Sequence, residues 1–442
     1  MQKPYFLNYF QAFLSLFLLA GFFSSLPTQA QCGDRFMLPI FETIDIDNDI
    51  EYGSNTAISG NKITLKFDLY QPVNDTAAMR PLIILAHGGT FLAGNENSPD
   101  IVQLADSLAH RGYVVASINY RLLSMPGDLA FPLDSLFTLE LVKAVADMRS
   151  AIRYFKKDAA TINQYRIDPE QVWVGGASAG AILALHTAYF NEAGDLDYFK
   201  NFDVLAMVES NGGWEGDSGN NGYDTKVAGV INLCGALGNA NFIQRGDVPV
   251  VNLHGDKDKT VPYNSGWAKA LGLNVIQLDG SNIIQKHCDS IGVPSALLTF
   301  EGQDHMAHAT PENFPKSLEF IVNFLYEHVD CNDLNTATNP NPKNPASKPL
   351  VQAQYLPQLN TIEVKYAVST PATTTTYNNT TPAKIQLVNA IGQVISSQQI
   401  LANQEGVSVS FPTNYLPKGW YAVQVLQPAS NNRIASQGLI VY

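Results

Sequence analysis

The chain contains, in this order, a serine, an aspartate and a histidine, three types of side chain that together can cleave an acyl bond. Ser178 lies at the centre of a G-x-S-x-G pattern at residues 176–180, and Asp258 and His305 come later in that order. A serine hydroxyl is a poor nucleophile until a base removes its proton, and an imidazole, whose pKa lies near neutrality, can be that base. A carboxylate can fix the imidazole tautomer and stabilise the imidazolium. These residue types predict nucleophilic catalysis through an acyl-enzyme.

A second group of residues can supply hydrogen-bond donors for the negative charge that forms in such a reaction. The turn at residues 87–90 (His-Gly-Gly-Thr) offers the backbone N–H groups of Gly89 and Thr90, and Ala179 offers one directly after the serine. A single donor of this kind is worth roughly 3–4 kcal/mol in a comparable case. We expect these three residues to form an oxyanion hole and His87 to hold the turn by a local hydrogen bond.

The surroundings of the serine strengthen the prediction. A bare G-x-S-x-G pattern arises by chance in roughly one chain in seven of this length, so it is weak evidence alone. Here an apolar run at 172–175 precedes Ser178, and a helix-forming run follows it. This arrangement predicts a strand that turns sharply into a helix, with the serine at the corner.

Apolar runs that alternate with helical patterns predict the fold. Their continuous apolar character is typical of strands buried on both faces, and the alternation indicates an α/β fold whose mainly parallel sheet is covered by helices on both faces. Ligands of such folds bind at the carboxyl ends of the strands, and Ser178, Asp258 and His305 each follow such an end. Besides the strand before Ser178, the runs are 81–86, 113–120, 227–233, 248–253 and 296–300.

The composition divides the chain into four parts. Residues 1–30 are expected to be a signal peptide, because Lys3 supplies charge, an apolar core follows and a small-residue cleavage site ends the segment. The apolar core is too short for the alternative, a membrane anchor. Residues 31–331 form the predicted catalytic domain, and 332–349 are an Asn-, Thr- and Pro-rich linker. Residues 350–442 contain alternating strand patterns that predict a small all-β, sandwich-like domain.

Charge and cysteine content exclude some classes of protein. The net charge of −13 argues against nucleic acid or an anionic membrane as partner. The four cysteines allow three pairings, of which Cys32 with Cys331 would join the two ends of the catalytic domain; four reduced thiols are the alternative. No C-x-x-C motif or His/Cys cluster indicates a metal, and the predicted chemistry needs no cofactor.

Two loops are candidates for the wall of a substrate pocket. One covers 121–136, and the other covers 210–223 and contains Trp214 and Tyr223 among several glycines. Glycine combined with aromatic side chains suits a mobile wall that stacks on an acyl, aromatic or sugar group. An ordinary glycine-rich surface loop is the alternative.

The region 81–315 resembles the carboxylesterases of the α/β-hydrolase superfamily that carry an H-G-G turn, near the hormone-sensitive-lipase-like branch. Four motifs in order support the resemblance: H-G-G at 87–89, G-x-S-x-G at 176–180, H-G-x-x-D-x-x-V-P at 254–262 and G-x-x-H at 302–305. It implies an α/β-hydrolase sheet and a Ser178, Asp258, His305 triad. Thr90 replaces a glycine that is common in this turn, which puts the geometry of that donor in doubt.

Two competing assignments remain within the motifs. Asp256 could replace Asp258 as the acid, but the family spacing of four residues after His254 favours Asp258. His308 could replace His305 as the base, but the family spacing after Gly302 favours His305. We expect His254 to shape its turn.

The C-terminal region resembles the sorting domain of the type IX secretion system. The evidence is a strand pattern from 384, a Leu-Pro-Lys-Gly-Trp-Tyr segment at 416–421 and a strand that ends the chain. The resemblance implies export through that secretion machinery, with removal of the domain in many cases. A carbohydrate-binding β-sandwich is the alternative.

Together these observations predict a secreted or cell-surface serine ester hydrolase, with no stable membrane span, that acts on acetyl or feruloyl esters of polysaccharides or on small esters. One alternative is an exopeptidase or lipase on the same fold. Another, of a different class, is a non-catalytic binding protein on a hydrolase scaffold; such proteins typically lack the serine or histidine, and here both are present.

Overall fold

An eight-stranded sheet forms the centre of the predicted catalytic domain. Its order is β1-β2-β4-β3-β5-β6-β8-β11, with the two N-terminal strands antiparallel at one edge and parallel pairing from β4 onward. The computed structural model describes residues 32–123, 132–190, 193–198, 203–331, 350–367, 381–389, 394–402, 407–417, 419–426 and 433–441. The strands are β1 (Ile44–Thr56), β2 (Lys62–Pro72), β3 (Arg80–Ala86), β4 (Val114–Ile118), β5 (Ile167–Ala177), β6 (Gly229–Leu233), β7 (Ala236–Leu237), β8 (Val250–Gly255), β9 (Ser265–Ala270), β10 (Leu273–Gly280) and β11 (Ser295–Phe300).

Helices cover both faces of this sheet, as the sequence predicts. The strands β3, β4, β6 and β8 are buried along their whole length. Their side chains point to both faces of the sheet, and both faces are covered. The helices are α1 (Pro99–Ala109), α2 (Leu133–Ala160), α3 (Ala179–Tyr189), α4 (Val204–Glu209), α5 (Ser281–Ile291) and α6 (Phe314–His328), with short 3-10 helices at Ala193–Tyr198, Ala240–Phe242, Ala307–Ala309 and Pro357–Leu359.

The two faces have separate hydrophobic cores. One core contains the apolar sides of α1 and α6, with residues such as Leu104 and Ile321, packed on one face of the sheet. The other contains α2 and α3, with residues such as Met148 and Leu183, packed on the opposite face. The predicted mainly parallel, two-sided α/β sheet is thus confirmed.

A small sheet that the sequence did not predict stands beside the carboxyl edge. Its three strands have the order β7-β10-β9 and follow β6 and β8 in the chain. The sequence predicts only helical stretches between the apolar runs at 248–253 and 296–300, but this interval contains two strands before α5 begins at Ser281. The alternating burial along β9, where Ala268 and Ala270 point inward, is the strand pattern that this expectation missed.

The C-terminal residues that the structure describes are all-β, as predicted. They form two antiparallel sheets, whose buried residues include Ile362 and Phe411 in one and Ile385 and Val423 in the other. Strands of the two sheets contact each other, which fits a sandwich-like arrangement. The strands are β12 (Leu350–Leu356), β13 (Thr361–Ala367), β14 (Thr381–Asn389), β15 (Val394–Ala402), β16 (Val407–Pro412), β17 (Gly419–Leu426) and β18 (Arg433–Val441).

A disulfide joins the two ends of the predicted catalytic domain. Cys32 and Cys331 are bonded with their Cα atoms 5.3 Å apart, whereas Cys234 and Cys288 are free and buried. The pairing is the one that the positions of the first and last cysteines suggest. The predicted signal peptide and the linker at 332–349 lie outside the described residues. Within the described part of the chain, no helix has both the length and the apolar character needed to cross a bilayer.

Candidate active site

Ser178 occupies the sharp turn between β5 and α3. Its φ of 54° and ψ of −116° place a non-glycine residue in a sparsely populated region, which is the strain expected of a nucleophile at a strand-to-helix corner. The glycines on either side are required by packing. A Cβ atom on Gly176 or Gly180 would collide with the carbonyl oxygen of Ala86 in the neighbouring β3. The sequence thus forces the serine to the carboxyl edge of the sheet.

A continuous line of hydrogen bonds runs from the serine to a carboxylate. His305 Nε2 lies 2.9 Å from Ser178 Oγ, and His305 Nδ1 lies 2.6 Å from Asp258 Oδ2. Since Asp258 is ionised and can only accept, Nδ1 carries the proton and Nε2 is free to accept one from the serine. The structure therefore brings together the three side chains that the sequence predicts, from the ends of β5, β8 and β11.

Asp258 is held by four donors. Besides His305, its Oδ2 accepts a hydrogen bond from His254 Nε2 at 3.1 Å, and its Oδ1 accepts from the backbone N–H groups of Thr260 at 2.8 Å and Val261 at 2.9 Å. Burial alone would raise the pKa of this carboxyl, but the hydrogen bonds from the two imidazoles outweigh it and hold the pKa well below its usual range. Asp258 is therefore ionised under all ordinary conditions.

The two competing assignments are separated by geometry. Asp256 accepts a hydrogen bond from the backbone N–H of Gly302 and pairs with Lys257 at 3.0 Å, so it is engaged away from His305. His308 is almost fully buried and makes no hydrogen bond to Ser178. His254, which the sequence suggested only as a shaping residue of its turn, is a second imidazole on the acid; its position four residues before Asp258 was the available signal.

The turn after β3 is built as an anion-binding loop. Gly89 and Thr90 have φ values of 110° and 56°, and the Gly89 carbonyl accepts hydrogen bonds from the N–H groups of Leu92 and Ala93. Within the described residues, no acceptor is assigned to the N–H groups of Gly89, Thr90 and Ala179. Three unpaired donors therefore remain near the serine for a developing oxyanion.

His87 anchors this turn, as predicted. Its Nδ1 lies 2.6 Å from the carbonyl oxygen of Gly88, and its ring stacks on Tyr120 with centroids 4.4 Å apart. The Tyr120 hydroxyl donates to the carbonyl of His87 at 2.8 Å, and Asp100 accepts from the Gly88 N–H at 3.1 Å. Burial lowers the pKa of His87, so the ring is neutral and donates from Nδ1. Tyr120 and Asp100 were missed by the sequence analysis, although Tyr120 follows the end of β4.

A free cysteine stands directly against the catalytic histidine. Cys234 follows β6, has a φ of 48° and is fully buried, and its thiol interacts with the imidazoles of His305 and His308. Burial lowers the pKa of His305, but Cys234 and Asp258 both raise it, and the net pKa lies above the usual value of 6.5. The sequence analysis treated Cys234 only as a candidate for disulfide pairing.

The structure does not bring the two predicted substrate-loop aromatics to this site. Trp214 packs on Phe190, at 5.2 Å between ring centroids, and Phe190 caps the far end of α3. About 18 Å of helix separates that end from Ser178. Tyr223 lies shortly before β6, on the side where parallel strands begin, and the next residue, Asp224, pairs with Lys156. Trp214 therefore packs at the far end of α3 and Tyr223 lies near the start of β6, so the structure places neither residue beside the triad.

The second predicted substrate loop is described only in part. Of 121–136, the structure describes the first three residues and those from 132 onward, and α2 already begins at Leu133. The backbone N–H of Leu123 donates to the carbonyl of Phe91, so this loop starts beside the turn that carries Gly89 and Thr90. The remainder of the predicted loop lies outside the described residues.

Three features together are typical of the class of α/β hydrolases. They are the order of the strands in the sheet, the strained turn at Ser178, and the hydrogen bonds that connect the serine, the histidine and the aspartate. The BD-FAE family model matches residues 67–269, a span that contains Ser178 and Asp258 and ends before His305. Over residues 67–269 the chain is similar to this family.

Solved structures of one bacterial enzyme are similar to the chain. Esterase 2 of Thermogutta terrifontis phosphorylated by paraoxon matches at 20% identity and a TM-score of 0.45, covering 65% of this chain and 95% of that one. Its form phosphoramylated by tabun gives the same values. The propionate-bound esterase matches at 20% identity and a TM-score of 0.45, covering 68% of this chain and 96% of that one.

Proposed function

We propose that the protein is a serine carboxylesterase that works through an acyl-enzyme. The observation that carries the proposal is the unbroken line from Ser178 Oγ through both nitrogens of His305 to Asp258, with distances of 2.9 and 2.6 Å. These distances lie in the range that proton transfer between a nucleophile and its base requires. A binding protein on this scaffold would have no need of such alignment.

Each step follows from this geometry. Ser178 Oγ attacks the ester carbonyl while His305 Nε2 takes its proton, and the oxyanion is held by the free N–H groups of Gly89, Thr90 and Ala179. The tetrahedral intermediate collapses, the C–O bond to the alcohol breaks, and His305 returns the proton to the leaving oxygen. Water then attacks the acyl-enzyme with His305 again as base, which releases the acid and restores the serine.

Hydrolysis of p-nitrophenyl acetate, butyrate and octanoate tests the proposal. We expect the full chain to cleave the short esters, to leave matched p-nitroanilides intact and to be labelled by a fluorophosphonate probe on Ser178, as mapped by peptide mass spectrometry. Cleavage of the anilides in place of the esters would favour an exopeptidase. Absence of both hydrolysis and labelling would favour the non-catalytic scaffold.

The pH dependence of the esterase activity follows from the environment of His305. The imidazole must be neutral to accept the serine proton, so kcat/KM rises with pH through the His305 pKa. Asp258 and Cys234 face this ring and raise that pKa above 6.5, and the raising outweighs the effect of burial. We therefore expect the acid limb of the profile for p-nitrophenyl acetate to have its midpoint above pH 6.5. A midpoint at or below 6.5 would contradict the effect assigned to these neighbours.

The natural substrate and the route of export extend the proposal. We propose that the enzyme is exported by the signal peptide at 1–30 and a sorting domain at 350–442, and that it removes acetyl or feruloyl groups from polysaccharides. The all-β nature of the described C-terminal residues and the disulfide, a bond of oxidising compartments, support export. Acetate release from acetylated xylan, and an N-terminus near Gln31 in protein recovered from the medium, are the expected results; protein that stays in the cytoplasm contradicts them.

A further inference from the structure

A second kind of chemistry is available behind the triad. Cys234, Asp258 and His305 each offer one ligand atom, and these atoms all lie within 4.8 Å of one another. They come from three separate segments, after β6, β8 and β11, which is why no cluster is visible in the sequence. Cys234 and the Asp258 side chain are fully buried, whereas the His305 side chain is 19% exposed and faces the open side of the site.

A second imidazole lies beside this cluster. His308 follows His305 by three residues, is only 3% exposed, and neither of its ring nitrogens is assigned a hydrogen-bond partner within the described residues. It interacts with the Cys234 thiol, but it is not among the ligand atoms that lie within 4.8 Å of one another.

We propose that Cys234, His305 and Asp258 form a site for a thiophilic divalent cation such as Zn²⁺, and that its occupation stops catalysis. Thiolate, imidazole and carboxylate all bind Zn²⁺, and three protein ligands leave the fourth tetrahedral position to water. Ligand atoms on such an ion stand roughly 3.5 Å apart, as follows from the zinc–ligand bond lengths. Ligand atoms as far apart as 4.8 Å must therefore approach by about 1 Å, whereas His305 Nδ1 and Asp258 Oδ2, now 2.6 Å apart, must separate by about 1 Å.

A bound cation would change which ring nitrogen of His305 carries the proton. A neutral imidazole that binds zinc through Nδ1, the nitrogen now facing Asp258, carries its proton on Nε2. Nε2 is the atom that must accept the Ser178 proton, so the bound ion removes the general base. This inhibitory effect rests on the proposed esterase function, whereas the binding itself does not.

The pKa values of the two free cysteines are shifted in opposite directions, and the shift at Cys234 favours the thiolate form. Burial raises the pKa of Cys234, but His305 and His308 outweigh burial and lower it to about 5. Burial raises the pKa of Cys288, on α5, to about 11. The thiolate is the form that ligates a metal, and binding releases the proton of any remaining thiol. Cys288→Ser is therefore the matched control for Cys234→Ser.

Binding is measured with the full chain and with each variant by equilibrium dialysis of Zn²⁺ and by Co²⁺ absorption. We expect one equivalent of Zn²⁺ and a thiolate-to-cobalt charge-transfer band in the wild type and in Cys288→Ser. Cys234→Ser should lose the band and bind Zn²⁺ at least about 100-fold more weakly, since even outer-shell changes cost 10- to 100-fold. Circular dichroism checks that each variant is folded, and Cys234→Ala replaces Cys234→Ser if that variant is not.

Inhibition is measured separately as the rate of fluorophosphonate labelling of Ser178, with and without Zn²⁺ and after EDTA. We expect Zn²⁺ to block labelling in the wild type and in Cys288→Ser, and EDTA to restore it. Equal Zn²⁺ affinity in Cys234→Ser and Cys288→Ser, or Co²⁺ binding without the band, overturns the site. If the protein shows the thiolate-to-cobalt band but cleaves no ester, the metal site is supported and the proposed esterase function is refuted. If the protein cleaves esters but its metal binding does not depend on Cys234, the esterase function is supported and the metal site is refuted.

Discussion

Ser178→Ala is expected to lower kcat for p-nitrophenyl acetate by about a millionfold, and His305→Ala by a similar factor. The first removes the atom that forms the acyl-enzyme. The second leaves the hydroxyl, but the 2.9 Å hydrogen bond through which it loses its proton is gone. Loss of the fluorophosphonate label on Ser178→Ala and much slower labelling of His305→Ala are the accompanying expected results.

The double variant distinguishes a catalytic unit from two independent contributions. Because serine and histidine act in the same step, we expect Ser178→Ala combined with His305→Ala to be no slower than either single variant. Ser210→Ala is the matched control: this serine is exposed, and its hydroxyl donates to the nearby carbonyl of Met207 and accepts from the side chain of Asn211. A Ser178→Ala protein that keeps more than about a thousandth of the activity would show that another group is the nucleophile.

Most of the triad was predictable because it depends on rules that are local to the chain. A buried apolar run followed by a small-residue turn places Ser178 at a strand end, and Asp258 and His305 follow strands in the same way. In a parallel sheet these ends meet at one edge. The sequence motifs therefore contain both the residue types and their meeting place.

Features that depend on which elements become neighbours were not predictable in the same way. Cys234 also follows a strand, but only the order β5-β6-β8 places it behind His305, and that order is a property of the whole sheet. Trp214 was assigned by residue type alone, and it packs half-buried on Phe190 instead. The β9–β10 hairpin was missed because the short alternating run in β9 competes with helical patterns around it.

Asp258→Asn is expected to lower kcat by about ten-thousandfold through the tautomer of His305, as the equivalent change does in a related triad. The two backbone N–H groups of Thr260 and Val261 require an oxygen at the Oδ1 position. The amide NH₂ of asparagine must then replace Oδ2, where it faces the Nδ1 of His305. A donor there makes Nδ1 an acceptor and moves the ring proton to Nε2, which can no longer take the proton of Ser178.

Asp256→Asn is the control that gives this result its meaning. Asp256 lies two residues away, carries the same charge and is engaged with Gly302 and Lys257, so we expect its kcat to stay within about threefold of the wild type. His254 also donates to Oδ2, and the NH₂ that faces His305 in Asp258→Asn faces His254 as well, so no rescue from that side is available. If Asp258→Asn keeps a tenth or more of the wild-type kcat, or if Asp256→Asn lowers kcat further than Asp258→Asn does, the carboxylate that orients His305 has been assigned to the wrong residue.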